Sequence, residues 1–281
     1  MKHLSFSLVR DTVARLFREA CYTPGREVDE ALARAECSES CARCRLALSS
    51  LRENLSAARE LNVPVCQDTG MAVVFCEMGD QVVIDGGSLR EAVDAGAAQG
   101  YTEGGMRLSV VSDPLYDRRN TGTNAPAILH LSSVPGDGLR IVAAPKGFGS
   151  ENKSALRMLT PAAGEEEVVS FVLETVRRAG PDPCPPIMVG VGIGGDFEYC
   201  AYLAKRALIR PIADRHPDPR YAALEERLLA EINALGIGAA GFGGSVTALA
   251  VKVEEYPTHI AGLPVAVNIN CHAIRHAEAT L

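Results

Sequence analysis

The chain has 281 residues, 47% of them hydrophobic and 22% charged, with a formal net charge of −7. This composition excludes a disordered or collagen-like chain, and the acidic balance disfavours a general nucleic-acid binder, which is usually basic. Because charges interrupt the first 20 residues and no apolar run reaches the roughly 18 residues of a membrane span, we expect a cytoplasmic protein with no membrane contact.

Helical patterns dominate the N-terminal part, which we expect to be mainly helical over residues 1–60. Apolar residues recur at helical spacing over residues 5–20 and again over residues 38–60, which predicts two amphipathic helices. Strand-like runs follow at residues 71–75 and 107–111. Two more, at residues 127–133 and 139–144, flank Pro-Gly-Asp-Gly and predict a hairpin.

The C-terminal part alternates further helices and strands. Residues 165–178 begin with acids and end with arginines before Gly180 and Pro181, which are helix start and stop signals. The remaining pattern predicts strands at residues 187–191, 246–253 and 265–269 and helices at 197–208 and 220–235. The order predicts an α+β fold, with one compact domain over residues 1–281 and mixed helices and strands over residues 61–281.

Three of the nine cysteines lie in unusual contexts. Cys66 follows a strand-like segment in Val-Cys-Gln-Asp-Thr-Gly, and Cys184 lies among prolines that predict an extended backbone. Cys271 follows the last predicted strand and opens a predicted short helix over residues 271–276. Each cysteine alone could be a small buried hydrophobe, but three at element ends beside polar residues favour metal ligands.

A second cysteine set has the spacing Cys37-x-x-x-Cys41-x-x-Cys44. This spacing occurs in the cluster loops of radical-SAM enzymes, but here it leads into a helical pattern. We therefore expect the three residues on one face of a single helix. A long series of βα repeats, which a radical-SAM enzyme requires, is also missing.

A glycine pattern, Gly190-x-Gly192-x-x-Gly195, follows a predicted strand and precedes a helix, as in dinucleotide-binding oxidoreductases of the Rossmann type. Residues 236–241 match the same pattern after a helix, which shows how unspecific it is. Lys146-Gly-Phe-Gly-Ser-Glu-Asn-Lys153 is a better candidate, because successive amides in such a loop can cradle a carboxylate. A tight loop that caps the next helix through Ser150 explains it equally well.

Four motifs together resemble the iron–sulfur-dependent hydro-lyases, the family of class I fumarate hydratases and L-tartrate dehydratases. They are Cys66-Gln-Asp-Thr-Gly70, Lys146-Gly-Phe-Gly-Ser-Glu-Asn-Lys153, Gly190-Val-Gly-Ile-Gly-Gly195 and Asn268-Ile-Asn-Cys-His-Ala273. The motifs run in the family's order from about residue 40 to the C-terminus.

The resemblance implies that Cys66, Cys184 and Cys271 hold a [4Fe-4S] cluster. Three thiolates on four irons leave one iron open as a Lewis acid for a substrate hydroxyl. The set Cys37, Cys41 and Cys44 has no counterpart in the family's site.

The resemblance also implies the remaining site residues. Gln67 and Arg107 would bind the substrate, with the guanidinium gripping a carboxylate, and Gly149 would offer a backbone amide. Asp68 and His259 are the expected catalytic residues. The family's proton-abstracting residue is expected in a partner domain.

The implied activity is the reversible hydration of fumarate to L-malate, and dehydration of L-tartrate to oxaloacetate is the close alternative. A Rossmann-type oxidoreductase is a more distant alternative. Because the chain ends about ten residues after Cys271, the resemblance implies an α subunit that works with a smaller β subunit, as α₂β₂.

Overall fold

The computed structural model describes residues 1–281. Its helices are α1 (Phe6–Tyr22), α2 (Arg26–Ser38), α3 (Ala42–Leu61), α4 (Leu89–Glu103), α5 (Phe148–Glu151), α6 (Gly164–Ala179), α7 (Phe197–Ala207) and α8 (Pro219–Ala234). Its strands are β1 (Lys2–Ser5), β2 (Val73–Gly79), β3 (Val82–Asp85), β4 (Ile128–Val134), β5 (Leu139–Ala143), β6 (Ala155–Leu159), β7 (Ile187–Gly195), β8 (Ala248–Thr258), β9 (Leu263–Asn270) and β10 (Ala277–Thr280). This mixture confirms the predicted α+β class. None of the helices combines the length and apolar character needed to cross a bilayer.

The chain divides into two compact units. The first unit comprises Met1–Gly25, Leu55–Phe148 and Arg275–Leu281, and the second comprises Arg26–Asn54 and Gly149–Ile274. Each unit has its own buried apolar cluster, which is what allows a unit to be stable as a packed body.

In the first unit, α1 and α4 cover a four-stranded sheet of order β10-β5-β2-β4. Strand β2 lies in the middle, parallel to β4 and antiparallel to β5. Helix α1 was correctly predicted, and it begins where Ser5 Oγ accepts the Leu8 N–H at 3.2 Å. Helix α4 was not predicted, although Ser88 and Glu91 form a capping box at its start.

The predicted hairpin between residues 127–133 and 139–144 is wrong, although both strands exist. Strands β4 and β5 each pair with β2, which lies between them. The Pro-Gly-Asp-Gly loop instead accepts hydrogen bonds from the end of β2 and the turn that follows it. Gly79 N–H donates to Gly138 O at 2.8 Å, and Gln81 N–H donates to Gly136 O at 3.0 Å. Turn chemistry therefore located the loop correctly but did not identify the strand partners.

In the second unit, the sheet order is β6-β9-β7-β8, with β7 parallel to β8 and antiparallel to β9. Helices α6 and α8 bury an apolar cluster against it, including Val172, Val189, Leu228 and Ile269. Helices α6, α7 and α8 and strands β7, β8 and β9 confirm the predicted elements within a few residues.

The glycine pattern that suggested a nucleotide loop lies inside strand β7. A Cβ atom at Gly190 would come within 2.1 Å of Ala204 O, and one at Gly192 within 2.0 Å of Cys200 O. These glycines therefore let helix α7 pack directly on the strand, which gives them a structural role.

Two predicted elements are absent. Residues 107–111 form no strand, because the Asn124 side-chain oxygen accepts the N–H groups of Ser109 and Val110 at 2.7 and 3.1 Å. Residues 271–276 form no helix, because the chain turns at His272 and then joins β5 as strand β10. Cys271 therefore gains nothing from a helix N-terminus.

The predicted long helix over residues 38–60 begins only at Ala42, and an unpredicted helix, α2, precedes it. Cys37 is exposed near the end of α2, Cys41 lies between the helices and Cys44 is buried in α3. The prediction that the three lie on one helix face is therefore wrong.

Candidate active site

The Cys66–Gly70 loop lies between α3 and β2 in the first unit. Val65 N–H donates to Cys21 O at 3.0 Å and fixes the start of the loop. Cys66 is half-buried, Gln67 is exposed, and the Cys66 thiol lies 3.6 Å from Gln67 Oε1. The loop therefore presents a thiol and an amide side by side at an accessible position.

Asp68 is held by three groups of the first unit. Its Oδ1 accepts the Gly70 N–H and its Oδ2 accepts the Phe148 N–H, both at 3.0 Å. Its backbone oxygen accepts from Arg275 Nη1 at 2.7 Å. Bonds to both carboxylate oxygens fix the orientation of this group, as a catalytic carboxylate requires.

Gly70 brings two of the sequence motifs together. Met71 and Lys146 form a two-way backbone bridge with N···O distances of 3.0 and 2.9 Å. Gly70 has φ +82°, and a Cβ there would lie 2.8 Å from the Lys146 carbonyl carbon. Only glycine suits this position, which is why the Cys66–Gly70 loop can lie directly on the chain before Gly147.

Arg107 follows α4, and its side chain is exposed. Its backbone oxygen accepts from Thr69 Oγ1 at 3.2 Å, so the segment is fastened to the Cys66–Gly70 loop. Asn124 Nδ2 adds a bond to Gly70 O at 3.0 Å. The first unit therefore groups Cys66, Gln67, Asp68 and Arg107.

Cys184 precedes β7 in the second unit and is exposed. The expected extended backbone is wrong here: Cys184 N–H donates to Pro181 O at 3.1 Å in a turn, and the residue has φ +55°. A residue with a Cβ is strained in this left-handed region, and such strain is concentrated at functional sites.

Cys271 follows β9 at the same end of the sheet, because Asn270 pairs with Met188 near the start of β7. His272 joins the two cysteine loops. Its N–H donates to Cys184 O at 3.4 Å, and its Nδ1 hydrogen-bonds to the same oxygen at 3.0 Å. A carbonyl oxygen only accepts, so His272 Nδ1 is the donor of this hydrogen bond.

The Gly149–Lys153 motif fastens both loops of the second unit. Lys153 Nζ lies 2.5 Å from the carboxylate of Asp182, two residues before Cys184. Glu151 Oε2 accepts from Asn268 Nδ2 at 2.9 Å, three residues before Cys271. This motif therefore positions the two cysteine loops, and Gly149 at its start is exposed.

His259 lies in the turn between β8 and β9 and does not join this group. Cys271 is separated from it by the eight residues of β9, and a strand rises about 3.3 Å per residue, so the two are roughly 25 Å apart. Within one chain, His259 therefore lies at the opposite end of the sheet from the cysteine loops.

Accessibility separates the three predicted ligands from the buried thiols. Cys66 and Cys271 are half-buried and Cys184 is exposed, whereas Cys21 and Cys76 are buried. Burial raises the pKa of Cys21 to about 11 and that of Cys76 to about 12. Metals bind thiolates, so burial disfavours Cys21 and Cys76 as cluster ligands, whereas Cys66, Cys184 and Cys271 are accessible, as are Cys37 and Cys41.

Within neither unit do three or more His, Cys, Asp or Glu side chains converge as a metal-binding group. The predicted ligands belong to different units, Cys66 to the first and Cys184 and Cys271 to the second.

Sequence reasoning missed two positioning residues. Arg275 is buried and holds Asp68, and His272 holds Cys184. Both lie within four residues of Cys271. The presence of polar and charged side chains so close to a predicted ligand was the sequence signal that could have identified them.

Comparison with known proteins identifies the family of the chain. The family model described as "Fumarate hydratase (Fumerase)" matches residues 10–280. The "Putative L(+)-tartrate dehydratase subunit alpha" of Methanocaldococcus jannaschii is 42% identical over 273 residues, covering 96% of each chain. The "L(+)-tartrate dehydratase subunit alpha" of Escherichia coli (strain UTI89 / UPEC) is 31% identical over 257 residues, covering 91% of this chain and 84% of that protein. The chain therefore belongs to the fumarate hydratase (Fumerase) family of carbon–oxygen hydro-lyases.

Proposed function

We propose that the chain is the α subunit of a [4Fe-4S]-dependent hydro-lyase in which Cys66, Cys184 and Cys271 are the cluster ligands. The supporting observation is the joining of the Cys184 and Cys271 loops through His272. A strained, accessible cysteine fastened in this way is suited to ligation and has no packing role. Both units then belong to one catalytic domain over residues 1–281.

The bound cluster would supply one iron without a protein ligand, a Lewis acid that polarises the C–O bond of a 2-hydroxy acid. The chain's own residues bind and orient the substrate. Arg107 offers an exposed guanidinium whose planar fork matches a carboxylate. Gln67 and the Gly149 amide offer further hydrogen bonds to a dicarboxylate.

Asp68 is the residue proposed to hold the reacting hydroxyl or water. Each of its oxygens already accepts one backbone N–H, and a carboxylate oxygen can accept a second bond. The group is therefore fixed in place and still able to bind a hydroxyl, which favours positioning at the reacting centre.

His259 can act at such a site if it comes from a second copy of the chain. Its place at the far end of β9 from Cys271 favours this arrangement. A symmetric dimer exchanges equivalent surfaces between its two copies, so each α chain would complete the site of the other.

The relatives are named as alpha subunits, which supports a separate β subunit for this chain as well. Because each α chain would also supply His259 to the site of a second α chain, the proposed assembly is α₂β₂. The β subunit would supply the proton-abstracting group and close the site against water.

Two substrates are consistent with these residues. The family description supports hydration of fumarate to L-malate, and the names of the relatives support dehydration of L-tartrate to oxaloacetate. Both reactions act on a four-carbon dicarboxylate, and they differ by one hydroxyl group on the substrate.

The test is an anaerobic assay of the chain, loaded with iron and sulfide, with and without a family β subunit. We expect turnover of malate or tartrate only with both subunits, and loss of activity in air that iron and thiol restore. Full activity of aerated, metal-free protein would contradict the proposal.

A further inference from the structure

The Cys41-x-x-Cys44 pair at the start of helix α3 lies outside the proposed active site. With a rise of about 1.5 Å per residue and a Cα radius of about 2.3 Å, Cα atoms three residues apart on a helix are about 5 Å apart, within the roughly 4.4–6.8 Å that a disulfide needs. The Cys41 and Cys44 thiols lie close enough for each to shift the pKa of the other. Little backbone movement would therefore be needed to join them.

Cys41 occupies the capping position of α3 and is partly accessible. Its backbone oxygen accepts the Arg45 N–H at 2.9 Å, the first bond of the helix. The backbone N–H and the side chain of Cys44 are the main causes that hold the pKa of the Cys41 thiol below its ordinary value. The structure therefore favours Cys41 as a thiolate nucleophile.

Cys44 has the opposite environment. It is fully buried, and its thiol contacts the carbonyl oxygens of Gly243 and Ala239. Burial and the neighbouring Cys41 raise its pKa to about 11. It is therefore shielded from external reagents but lies within reach of Cys41.

Glu39 holds this arrangement rigid. It is buried, with 2% of its surface exposed. Its Oε1 accepts the Cys41 N–H at 2.9 Å, and its Oε2 accepts the N–H groups of Ser245 and Val246 at 2.8 and 3.2 Å. The carboxylate therefore ties Cys41 to the segment that contacts Cys44.

We propose that Cys41 and Cys44 form a redox-active dithiol that low-molecular-weight disulfides oxidise to an intramolecular disulfide. The Cys41 thiolate attacks one sulfur of the oxidant; its S–S bond breaks, and one thiolate leaves. Cys44 then loses its proton and attacks Cys41 Sγ in the mixed disulfide, which releases the second thiol. The dithiol gives up two electrons, and the oxidant is reduced to two thiols.

The test uses the full chain in anaerobic buffers with varied ratios of glutathione to glutathione disulfide. Samples are quenched with acid, alkylated and digested after Glu39 and after Arg43. These cleavages place Cys37, Cys41 and Cys44 on three different peptides, so mass spectrometry identifies each partner without ambiguity.

We expect a Cys41–Cys44 linked peptide whose fraction follows the glutathione ratio as a two-electron transition. In Cys44→Ser, Cys41 should accumulate as a mixed disulfide with glutathione. In Cys41→Ser, Cys44 should remain free, and the matched control Cys37→Ser should behave as the unaltered chain. Circular dichroism melts verify that each variant is folded.

Absence of the linked peptide at every ratio would overturn the proposal. So would a linkage that contains Cys37, or modification of Cys44 in Cys41→Ser at the rate seen in the unaltered chain. Alkylation rates at neutral pH give a second readout, with Cys41 expected to react at least about tenfold faster than Cys37.

Discussion

His272 binds the backbone oxygen of Cys184 with both its N–H, at 3.4 Å, and its Nδ1, at 3.0 Å. His272, which directly follows Cys271, therefore fixes the position of Cys184, which lies 88 residues earlier in the chain. The two cysteine loops are consequently a single structural feature.

Replacing His272 tests this coupling. His272→Ala should lower stability by about 1 kcal/mol, the net worth of one hydrogen bond, and should speed loss of iron from the loaded protein. His272→Asn should restore both, because its amide can donate from nearly the position of Nδ1. Equal rates of iron loss in all three proteins would show that His272 does not position Cys184.

Gly70 tests the contact between the first two motifs. Gly70→Ala should destabilise the protein by about 2–4 kcal/mol, because positive-φ strain adds to a backbone clash. Gly105→Ala is the matched control: Gly105 has φ +59° with nothing within 4 Å of a Cβ. That change should cost only about 1 kcal/mol. Equal costs in urea unfolding would show that Gly70 does not touch Lys146 as described.

Arg107 tests the proposed grip on substrate. Arg107→Lys keeps the charge but loses the planar two-point contact, so kcat/KM should fall by at least about tenfold, mainly through KM. Arg177→Lys, an exposed arginine at the end of α6, should leave the kinetics unchanged. Equal kinetics for both variants would remove Arg107 from the site.

Much of the fold was predictable from sequence, because helices such as α6 and strands such as β7 carry strong local patterns. Strand pairing was not, since β2 enters between β4 and β5 from a distant part of the chain. The tail after Cys271 was misread as a helix because its pairing with β5 depends on residues more than 130 positions earlier.

The candidate site was predictable as a set of residue types but not as an arrangement. The left-handed turn at Cys184 and the support of Asp68 by Arg275 depend on tertiary contacts that no local spacing reveals. His259 is a different case, because the strand predicted at residues 265–269 already lay between it and Cys271, and its length could have shown that the two are far apart within one chain.

A complementation experiment tests the assignment of His259 to the opposite α chain. His259→Ala and Cys271→Ser should each be inactive with the β subunit. When the two variants are mixed and reassembled, about half of the dimers contain one chain of each kind. In each of these mixed dimers, one of the two sites has both an intact Cys271 and an intact His259. Roughly a quarter of full activity should therefore return. No recovery, with exchange of chains verified by mass spectrometry, would show that His259 acts within its own chain, and an active His259→Ala variant would remove it from the site.

The central claim is that Cys66, Cys184 and Cys271 hold the cluster, and iron and sulfide content after anaerobic reconstitution measures it most directly. Cys66→Ser, Cys184→Ser and Cys271→Ser should each fail to retain a four-iron cluster and its visible absorbance. Cys37→Ser and Cys41→Ser, which change accessible thiols outside the site, should retain it. A full cluster in Cys184→Ser, or its loss in Cys41→Ser, would contradict the assignment.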